Sequence, residues 1–523
     1  EEEKERFIEK LEKKINLLNY VRISVGDSSQ IKNVFNNILA IKAVALESNR
    51  FIRNILFKEN FSNMSHDFAV LTRRKEELEL NRLTESLPIE YITHIEDSLR
   101  KIEIQMIKSI VENSDFTRFR VNSASWLNIR SSLKKGQVAI EFLNLPMDPI
   151  VQNKRTYYAL IVKPESKFPA LIKLCEESEI AKLILYTGST KESINKIYNG
   201  NTFNKLYKLI WSPLNNYIRD AEKIYVSLSG ILYQISLPVL TMEENYDIEI
   251  LSNTRNLVFR ENFAKSKSSG SAMLFGDIDY NNFAEITTNS ILEISNKEIP
   301  ENITRAGVRQ LPGTKVEIDL IADVLEKNKF SFQRIIKEFA TELSFRSMSN
   351  ETVEIMHIAT HGFYFPPDKS FEFDKFITGG FGRHSTFNNP LFRSGLLFAG
   401  ANVQKHNSKR NDGILTSYEI SKLNLSNTDL LVLSACETGL GDLRGGEGIY
   451  GLQRAFKLAG VESIIISLWK VPDEETSVLM QKFYENLITH QFDKKKSLKL
   501  AQQYLKENVK KEPFYWGAFE IIE

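Results

Sequence analysis

The stretch at residues 428–435 (TDLLVLSA) is apolar on both faces, and it constrains the fold more than any other part of the chain. A strand of this kind must be covered on both sides, which is typical of the centre of a parallel sheet. Parallel strands in turn need long crossover connections, usually helices. We therefore predict an α/β fold with a mostly parallel sheet flanked by helices.

Short β-rich runs alternate with amphipathic segments from about residue 126 onward. Strands are predicted at residues 137–143, 157–162, 223–228, 272–276, 353–360, 396–399 and 463–468. Helices are predicted at residues 205–220, 314–327, 447–458 and 474–489. This alternation is the pattern of successive strand–helix–strand units.

Residues 1–115 show a helical period instead, with apolar stripes within residues 3–18, 34–56 and 92–111. Two interpretations stay open: the end of a helical-repeat array, or a plain helical bundle. No clean 34-residue period is present, so these residues alone favour the plain bundle. At 523 residues, the chain should form about two to four domains.

Composition excludes several classes of function. The 68 Lys and Arg residues balance the 67 Asp and Glu residues, so no overall field favours nucleic acid or an anionic membrane. No apolar run is long enough to span a bilayer. Two cysteines are too few for a disulfide framework, which predicts a cytoplasmic protein. Because the chain begins with Glu1, we expect it to be a fragment of a longer protein.

Two predicted strands end in a reactive side chain. His361 and Gly362 follow the strand at 353–360, and Cys436 follows the strand at 428–435. Ligands of open α/β sheets sit beyond the carboxyl ends of the strands, so neighbouring strands would bring both side chains into one crevice. A thiolate nucleophile activated by an imidazole is the chemistry of a cysteine peptidase.

The scissile carbonyl oxygen needs hydrogen-bond donors as its charge develops. The backbone N–H groups of Gly362 and Cys436 are the candidates, because glycine allows close approach of main chain. The alternative for Cys436 is a buried structural thiol. The glycines at 439 and 441 and the strand-end His361 favour the nucleophile.

The remaining histidine and cysteine near these features have structural interpretations. His357 lies inside its strand as a core histidine, and residues four apart on a strand cannot share one ion. Cys175 has no histidine nearby and is assigned a structural role. We therefore predict no cofactor and no metal.

Substrate contacts are expected at the end of the strand at 463–468. Trp469 could form an apolar wall, with core packing as an equal alternative. Asp473 could accept a basic substrate residue, but a helix N-cap is the favoured interpretation.

Residues 439–448 (GLGDLRGGEG) lack the Gly-Lys-Ser/Thr ending of a P-loop and the spacing of a dinucleotide fingerprint, which argues against an NTPase. We interpret them as a mobile loop bordering the site. A second mobile element is expected at residues 368–389.

The strand-end segments also resemble the two signatures of CHAT-domain peptidases, relatives of caspases and separase. The resemblance rests on residues 357–364 (HIATHGFY) and 433–450 (LSACETGLGDLRGGEGIY), and it covers about residues 126–523. Supporting segments lie at residues 229–240, 311–314, 389–401, 451–460, 463–476 and 514–519. By this resemblance, His361 and Cys436 match the catalytic dyad.

The resemblance implies a caspase-like fold in two halves. We expect a degenerate half at residues 121–268, an active peptidase half at 269–523, and a helical region at 1–120 that ends a tetratricopeptide (TPR) array. Relatives often place a charged or amide side chain two residues before the nucleophile. Ser434 stands there and supplies no charge, so it is a candidate for the substrate pocket without fixing the preference.

The implied function is a regulated cysteine endopeptidase that cleaves a specific protein partner. The resemblance suggests bacterial defence or programmed cell death, with a gasdermin-like or CRISPR-associated target. A regulatory protein or complex is expected on the N-terminal helices, with no nucleic acid or membrane bound directly. Because no cleavable linker fits after Cys436, activation by rearrangement is expected. The alternative is a catalytically silent caspase-like scaffold for protein–protein interaction.

Overall fold

The structure is a computed structural model of the chain. It describes residues 2–43, 46–47, 124–146, 154–184, 190–244, 246–259, 270–284, 307–366, 389–403, 412–435, 439, 441–444 and 448–523, with a few single helical residues between 70 and 105.

Helices precede the first strand and connect many of the later strands. They are α1 (Glu2–Val25), α2 (Ser28–Ile41), α3 (Trp126–Ser132), α4 (Glu177–Ile184), α5 (Lys191–Tyr198), α6 (Gly200–Ile210), α7 (Asn215–Ile218), α8 (Leu237–Thr241), α9 (Asn256–Phe259), α10 (Pro312–Lys327), α11 (Glu342–Arg346), α12 (Ser417–Ile420), α13 (Leu452–Ala459), α14 (Asp473–Thr489), α15 (Lys494–Asn508) and α16 (Pro513–Trp516).

The strands begin after α3. They are β1 (Gln137–Pro146), β2 (Arg155–Val162), β3 (Ala170–Glu176), β4 (Lys223–Ser227), β5 (Asp247–Leu251), β6 (Ser271–Ile278), β7 (Ser331–Lys337), β8 (Ile355–Ala359), β9 (Gly362–Tyr364), β10 (Ser394–Leu397), β11 (Ile414–Thr416), β12 (Leu430–Ser434), β13 (Gly441–Arg444), β14 (Gly448–Gly451), β15 (Ser463–Ser467) and β16 (Phe519–Ile522).

Among the described residues, 11 strands form one sheet in the order β3-β2-β1-β4-β5-β16-β15-β12-β8-β6-β7. Neighbours are parallel from β1 to β16 and again from β15 to β7. β16 and β15 are antiparallel, so the two parallel blocks run in opposite directions. β2 and β3 extend one edge as antiparallel strands. The predicted mostly parallel sheet flanked by helices is confirmed.

Both faces of the sheet are covered, as β1 shows. Val138, Ile140 and Phe142 pack into the main core, whereas Ala139 and Leu143 join a second cluster with α2 and α3. This alternation follows from the two-residue period of a strand. The predicted central strand β12 is buried along its whole length, and full burial stabilises a leucine by about 1.5–3 kcal/mol.

A small sheet in the order β11-β10-β9 and a hairpin of β13 and β14 complete the described strands. The hairpin corrects two expectations. Residues 441–444 pair with residues 448–451 where we predicted a mobile loop, and the helix predicted at 447–458 begins only at Leu452. Gly441 and Gly451 face each other, and a Cβ at Gly441 would lie 2.4 Å from the Tyr450 carbonyl oxygen. The hairpin therefore requires glycine, which lowers the strand signal in the sequence.

The helix predicted at residues 34–56 ends at Ile41 in α2, which is a third correction. The next residue, Lys42, is buried in an ion pair with Glu141 of β1. The Arg255 guanidinium donates to the carbonyls of Leu39 and Lys42 at 2.5 and 3.3 Å, which satisfies the end of the helix. The buried pair and the capped end dock α2 onto β1 and the segment at 253–255.

Two other predicted segments lie almost entirely outside the described residues. The segment at 92–111 lies outside the described residues apart from single helical positions, and so does the loop predicted at 368–389 apart from Asn389. Within the described ranges, no helix combines the length and apolar character that crossing a bilayer requires.

Candidate active site

β8 and β12 are parallel neighbours, as predicted. Their register pairs Leu430 with Ile355 and Ser434 with Ala359, so both strands end at the same level. The sequence continues to residue 361 after one strand and to residue 436 after the other, two positions beyond each strand end. Cys436 lies outside the described residues, and its thiol and N–H group stay predictions.

The two described residues on either side of positions 436–438 are hydrogen-bonded to the end of β15. Ser467 donates from its hydroxyl to the Ala435 carbonyl at 2.7 Å, and its own carbonyl accepts from the Gly439 N–H at 2.8 Å. A Cβ at Gly439 would lie 2.9 Å from the Leu468 side chain, so only glycine fits without a shift. These contacts fix the two residues that flank positions 436–438.

His361 is oriented by a backbone carbonyl. Its Nε2 lies 2.8 Å from the Arg309 carbonyl oxygen. A carbonyl oxygen can only accept a hydrogen bond, so Nε2 carries the proton in the neutral ring and Nδ1 is the basic nitrogen. The Tyr280 ring packs at 5.3 Å from the imidazole, and its hydroxyl is hydrogen-bonded to Thr360 at 2.9 Å.

The surroundings keep His361 neutral. Partial burial lowers the pKa of His361 below its ordinary value of 6.5, and the Lys470 ammonium lowers it further. The Arg309 carbonyl and the Asp473 carboxylate act in the opposite direction by favouring the imidazolium. Near neutral pH the imidazole is therefore unprotonated and available as a base.

The N–H of Gly362 points away from the small sheet. In the antiparallel pair of β9 and β10, Leu397 N–H donates to the His361 carbonyl and Phe365 N–H to the Arg393 carbonyl. Hydrogen-bonded and non-bonded pairs alternate, so Gly362 and Tyr364 occupy the non-bonded positions. Their N–H groups therefore face the outer edge of β9.

Of the three substrate-binding candidates, Ser434 ends β12 and is 8% exposed. Trp469 is 2% exposed, its indole N–H donates to the Phe514 carbonyl at 2.8 Å, and its ring packs on Tyr198. This burial favours the core-packing alternative for Trp469.

Asp473 is exposed at the first position of α14 and is not the N-cap, which corrects the favoured alternative. Pro472 occupies the cap position and makes no side-chain bond to the helix. The Asp473 side chain packs against Gly313 in the first turn of α10, where an added Cβ would lie 2.1 Å from the Asp473 Cβ. Asp473 is thus placed by helix packing and acts electrostatically on His361.

A buried polar cluster links β9 to the hairpin after Cys436. The Tyr364 hydroxyl donates to Asp442 Oδ1 at 2.7 Å, and Arg393 forms a salt bridge with the same carboxylate. Arg393 is 1% exposed. Burial and the neighbouring Asp442 carboxylate raise the pKa of Tyr364 well above its ordinary value.

His357 and Cys175 occupy the core positions that the sequence predicts. His357 is fully buried, with Glu317 3.0 Å from Nε2 and Tyr484 3.2 Å from Nδ1. Burial raises the pKa of the Cys175 thiol to about 12, so it stays protonated at neutral pH. The described residues contain no group of His, Cys, Asp and Glu side chains that could hold a metal ion.

Sequence reasoning missed three contributors to the site. Arg309 acts through its carbonyl, which leaves no signal in the side-chain pattern. Asp442 lies in the glycine-rich segment that we interpreted as a loop. Ser467 could have been found, because it ends the predicted strand that follows the Cys436 segment.

A family model for the CHAT domain matches residues 201–523. The chain belongs to the CHAT domain family. This CHAT domain is similar in structure to the Arg-specific cysteine proteinase gingipain R, with a TM-score of 0.36 and 10% identity over 66% of this chain and 74% of that chain. A complex of the Porphyromonas gingivalis RgpB pro- and mature domains gives a TM-score of 0.36 and 11% identity over 66% and 75% of the two chains.

The Saccharomyces cerevisiae separase in the separase–securin complex gives a TM-score of 0.46 and 10% identity over 96% of this chain. The present chain spans 37% of that separase chain. At these identities the similarity concerns the fold alone. No curated protein matches the sequence significantly. The CHAT domain match covers β8, β9, β12 and β15, the four strands that position His361 and flank the segment at 436–438.

Proposed function

We propose that this CHAT domain is a cysteine endopeptidase with Cys436 as nucleophile and His361 as base. The register of β8 and β12 carries the proposal, because both strands end at one edge of the sheet, two residues before His361 and Cys436 in the sequence. The unprotonated Nδ1 of His361 supplies the base that a thiol requires.

The chemistry follows from these roles. His361 Nδ1 takes the proton of the Cys436 thiol, and the thiolate sulfur attacks the carbonyl carbon of the scissile peptide bond. The tetrahedral intermediate collapses, the C–N bond breaks, and the imidazolium gives its proton to the leaving amine. Water, deprotonated by the same imidazole, then hydrolyses the thioester and releases the thiol.

Two N–H groups, those of Gly362 and Cys436, would stabilise the oxyanion. The outward direction of the Gly362 N–H supports its part, since β10 does not use it. Tyr364 presents its N–H and C=O along the same edge, a surface on which an extended peptide can add as a strand. The substrate would therefore be an extended segment of a protein chain.

Two charged residues near His361, one of each sign, are candidates for contact with the substrate. Asp473 and Lys470 are both exposed and lie close enough to His361 to affect its charge. Asp473 stays the proposed partner of a basic substrate residue, and Ser434 lines the end of β12 without charge. Trp469 would contribute through packing, in line with its burial.

Regulation through the N-terminal helices is part of the proposal. A cavity of about 260 Å³ lies between α1, α2, the end of β1 and Leu443 of the hairpin. A protein or complex that shifts α1 and α2 would therefore act on the hairpin that follows Cys436. Activation by such a rearrangement, without cleavage at residues 439–448, agrees with the paired strands found there.

The wider biological role rests on family resemblance alone. We propose a cytoplasmic peptidase of bacterial defence or programmed cell death, whose target is a gasdermin-like or CRISPR-associated protein. A TPR-like N-terminal helical region would hold the regulator. A silent scaffold is the alternative, and the presence of both His361 and Cys436 argues against it.

The test is cleavage of a mixed library of unstructured peptides, read by mass spectrometry. We expect new termini with the wild-type chain and none with the Cys436→Ala or His361→Ala variants. Cys175→Ala is the matched control, because it removes the other thiol, and it should cleave like wild type. Identical cleavage patterns for wild type and Cys436→Ala would refute the peptidase. If the full chain needs its activator, the alkylation experiment that closes the Discussion tests the dyad without any substrate.

A further inference from the structure

Arg309, whose carbonyl accepts the His361 proton, lies in a strap of irregular backbone at residues 307–311 ahead of α10. The strap belongs to no helix or strand, so its position depends on side chains that reach it from elsewhere. A shift of the carbonyl by about 1 Å would weaken the hydrogen bond that selects the tautomer of His361.

Asn402 binds the strap one residue before Arg309. Its Oδ1 accepts from the Val308 N–H at 2.6 Å, and its Nδ2 donates to the Val308 carbonyl at 2.9 Å. A residue on a neighbouring β-strand would make the same pair of bonds. The side-chain amide of Asn402 thus makes the two hydrogen bonds that a neighbouring strand would make, and it needs both its donor and its acceptor to do so.

Asn402 is itself attached to the turn that packs on His361. Its backbone N–H donates to the Tyr280 carbonyl at 2.8 Å, and its Nδ2 also donates to the Asn281 side chain at 2.9 Å. The ring of Tyr280 lies against the imidazole. The turn at residues 280–281 therefore contacts the face of the His361 ring through Tyr280. Through Asn402 it also restrains the strap whose Arg309 carbonyl accepts from the edge of that ring.

A second tether follows Arg309 and is longer. Gln310 Nε2 donates to Asp279 Oδ1 at 3.3 Å, near the upper limit for a hydrogen bond. Asn402 makes two bonds to the backbone of Val308, whereas Gln310 reaches Asp279 only through its side chain. The main restraint on the strap is therefore Asn402.

We propose that Asn402 is a positioning residue for His361: it holds the Arg309 carbonyl in place, which keeps the ring proton on Nε2 and leaves Nδ1 as the base. The tautomer is a property of the folded chain. Only its consequence for Cys436 rests on the proposed function.

The first test is the tautomer of His361, read from long-range ¹H–¹⁵N couplings of ¹⁵N-histidine-labelled protein and assigned with the His361→Ala variant. Wild type should show the Nε2-protonated ring at alkaline pH. Asn402→Asp keeps the shape but turns an acceptor toward the Val308 carbonyl, so the ring should become a mixture of tautomers. An unchanged tautomer in Asn402→Asp would overturn the proposal.

The matched control is Asn427→Asp, because the Asn427 amide donates only to the Glu351 carbonyl, in the loop before β8. It should leave the His361 tautomer as in wild type. If Asn402→Asp does not fold, Asn402→Ser keeps one hydrogen bond without adding charge, and it should give a mixture of tautomers. A pure Nε2 tautomer in Asn402→Ser would also overturn the proposal.

The second test is alkylation of Cys436 by iodoacetamide. At pH 6.5 the rate in Asn402→Asp should fall about tenfold, while above pH 9 it should match wild type, because the thiol then ionises unaided. An unchanged rate at pH 6.5, in a protein whose His361→Ala variant does react slowly, would overturn the inference. If His361→Ala reacts like wild type, the proposed dyad fails, and the tautomer measurement still decides the role of Asn402.

Discussion

Ser434 and Ala359 lie directly opposite each other in the parallel strands β12 and β8. Residues 436 and 361 are two positions further along each chain. Neighbouring strands lie about 4.8 Å apart, so side chains at matching positions after the strand ends can reach each other. The proposed chemistry depends on this register, and the predictions below test the groups around it.

Charge near the dyad should set the acidity of His361. Lys470→Gln removes a positive neighbour and should raise the pKa of His361, whereas Asp473→Asn removes a negative neighbour and should lower it. Both groups are exposed, so screening by water and salt should keep each pKa shift small in an NMR titration. Lys496→Gln, at an exposed position on α15, should shift nothing. A downward shift in Lys470→Gln would contradict this account.

The Asp442 carboxylate should hold the hairpin against β9. Asp442→Ala removes the carboxylate from the buried Arg393 guanidinium, which still donates to the Phe365 carbonyl, so the cost should lie below the about 3–5 kcal/mol of a buried charge that loses its whole pairing. Amide hydrogen exchange of residues 441–451 should accelerate, while β6 and β7 stay protected. Tyr364→Phe removes one hydrogen bond and should have a smaller effect. Equal protection in wild type and Asp442→Ala would show that the cluster does not fix the hairpin.

Gly313 should be required for the packing of α10 on α14. A Cβ there would lie 2.1 Å from the Asp473 Cβ, so Gly313→Ala should force the helices apart at a cost of about 1–3 kcal/mol. Gly307→Ala, in the strap that leads into α10, is the control, because its Cβ would meet no atom within 4 Å. Thermal unfolding should separate the two variants. A Gly313→Ala variant as stable as Gly307→Ala would contradict the close packing.

Glu520 should make the stability of the chain depend on pH. Burial raises the pKa of Glu520 from 4.5 to about 8, although the Leu237 N–H donates to its carboxyl at 2.7 Å. The stability that the protonated Glu520 carboxyl contributes is therefore fully present below about pH 4.5 and is lost as the pH rises through 8. At about 1.36 kcal/mol per pH unit, the loss amounts to a few kcal/mol. Glu520→Gln should make the melting temperature nearly independent of pH between pH 5 and 8. The exposed Glu507→Gln should keep the wild-type slope, and an unchanged slope in Glu520→Gln would contradict this origin.

The sequence predicted the strands that carry the site because their signals are local. The apolar run at 428–435 became β12, and the run at 353–360 became β8. The helix predicted at 205–220 is interrupted instead. α6 ends at Ile210, and a 3₁₀ turn containing Pro213 separates it from α7, since proline cannot continue the hydrogen bonds of the preceding turn.

The parts that sequence reasoning could not reach depend on contacts between distant segments. The Arg309 carbonyl accepts from His361 and Asn402 binds the neighbouring Val308, and neither contact has a sequence period. β16 was not predicted, and it lies between β5 (Asp247–Leu251) and β15 (Ser463–Ser467), which are far apart in the sequence. Strand order in a sheet is set by crossovers and packing, which single-sequence patterns do not encode.

The most direct test of the dyad is the pH dependence of alkylation at the two cysteines in one protein. Cys175 is an internal reference, because burial raises its pKa to about 12 and should leave it unlabelled at neutral pH. We predict that Cys436 reacts with iodoacetamide at pH 6–7 in wild type, and that His361→Ala slows this reaction by about tenfold or more without affecting it above pH 9. Equal rates in wild type and His361→Ala across this range would contradict the pairing of His361 with Cys436.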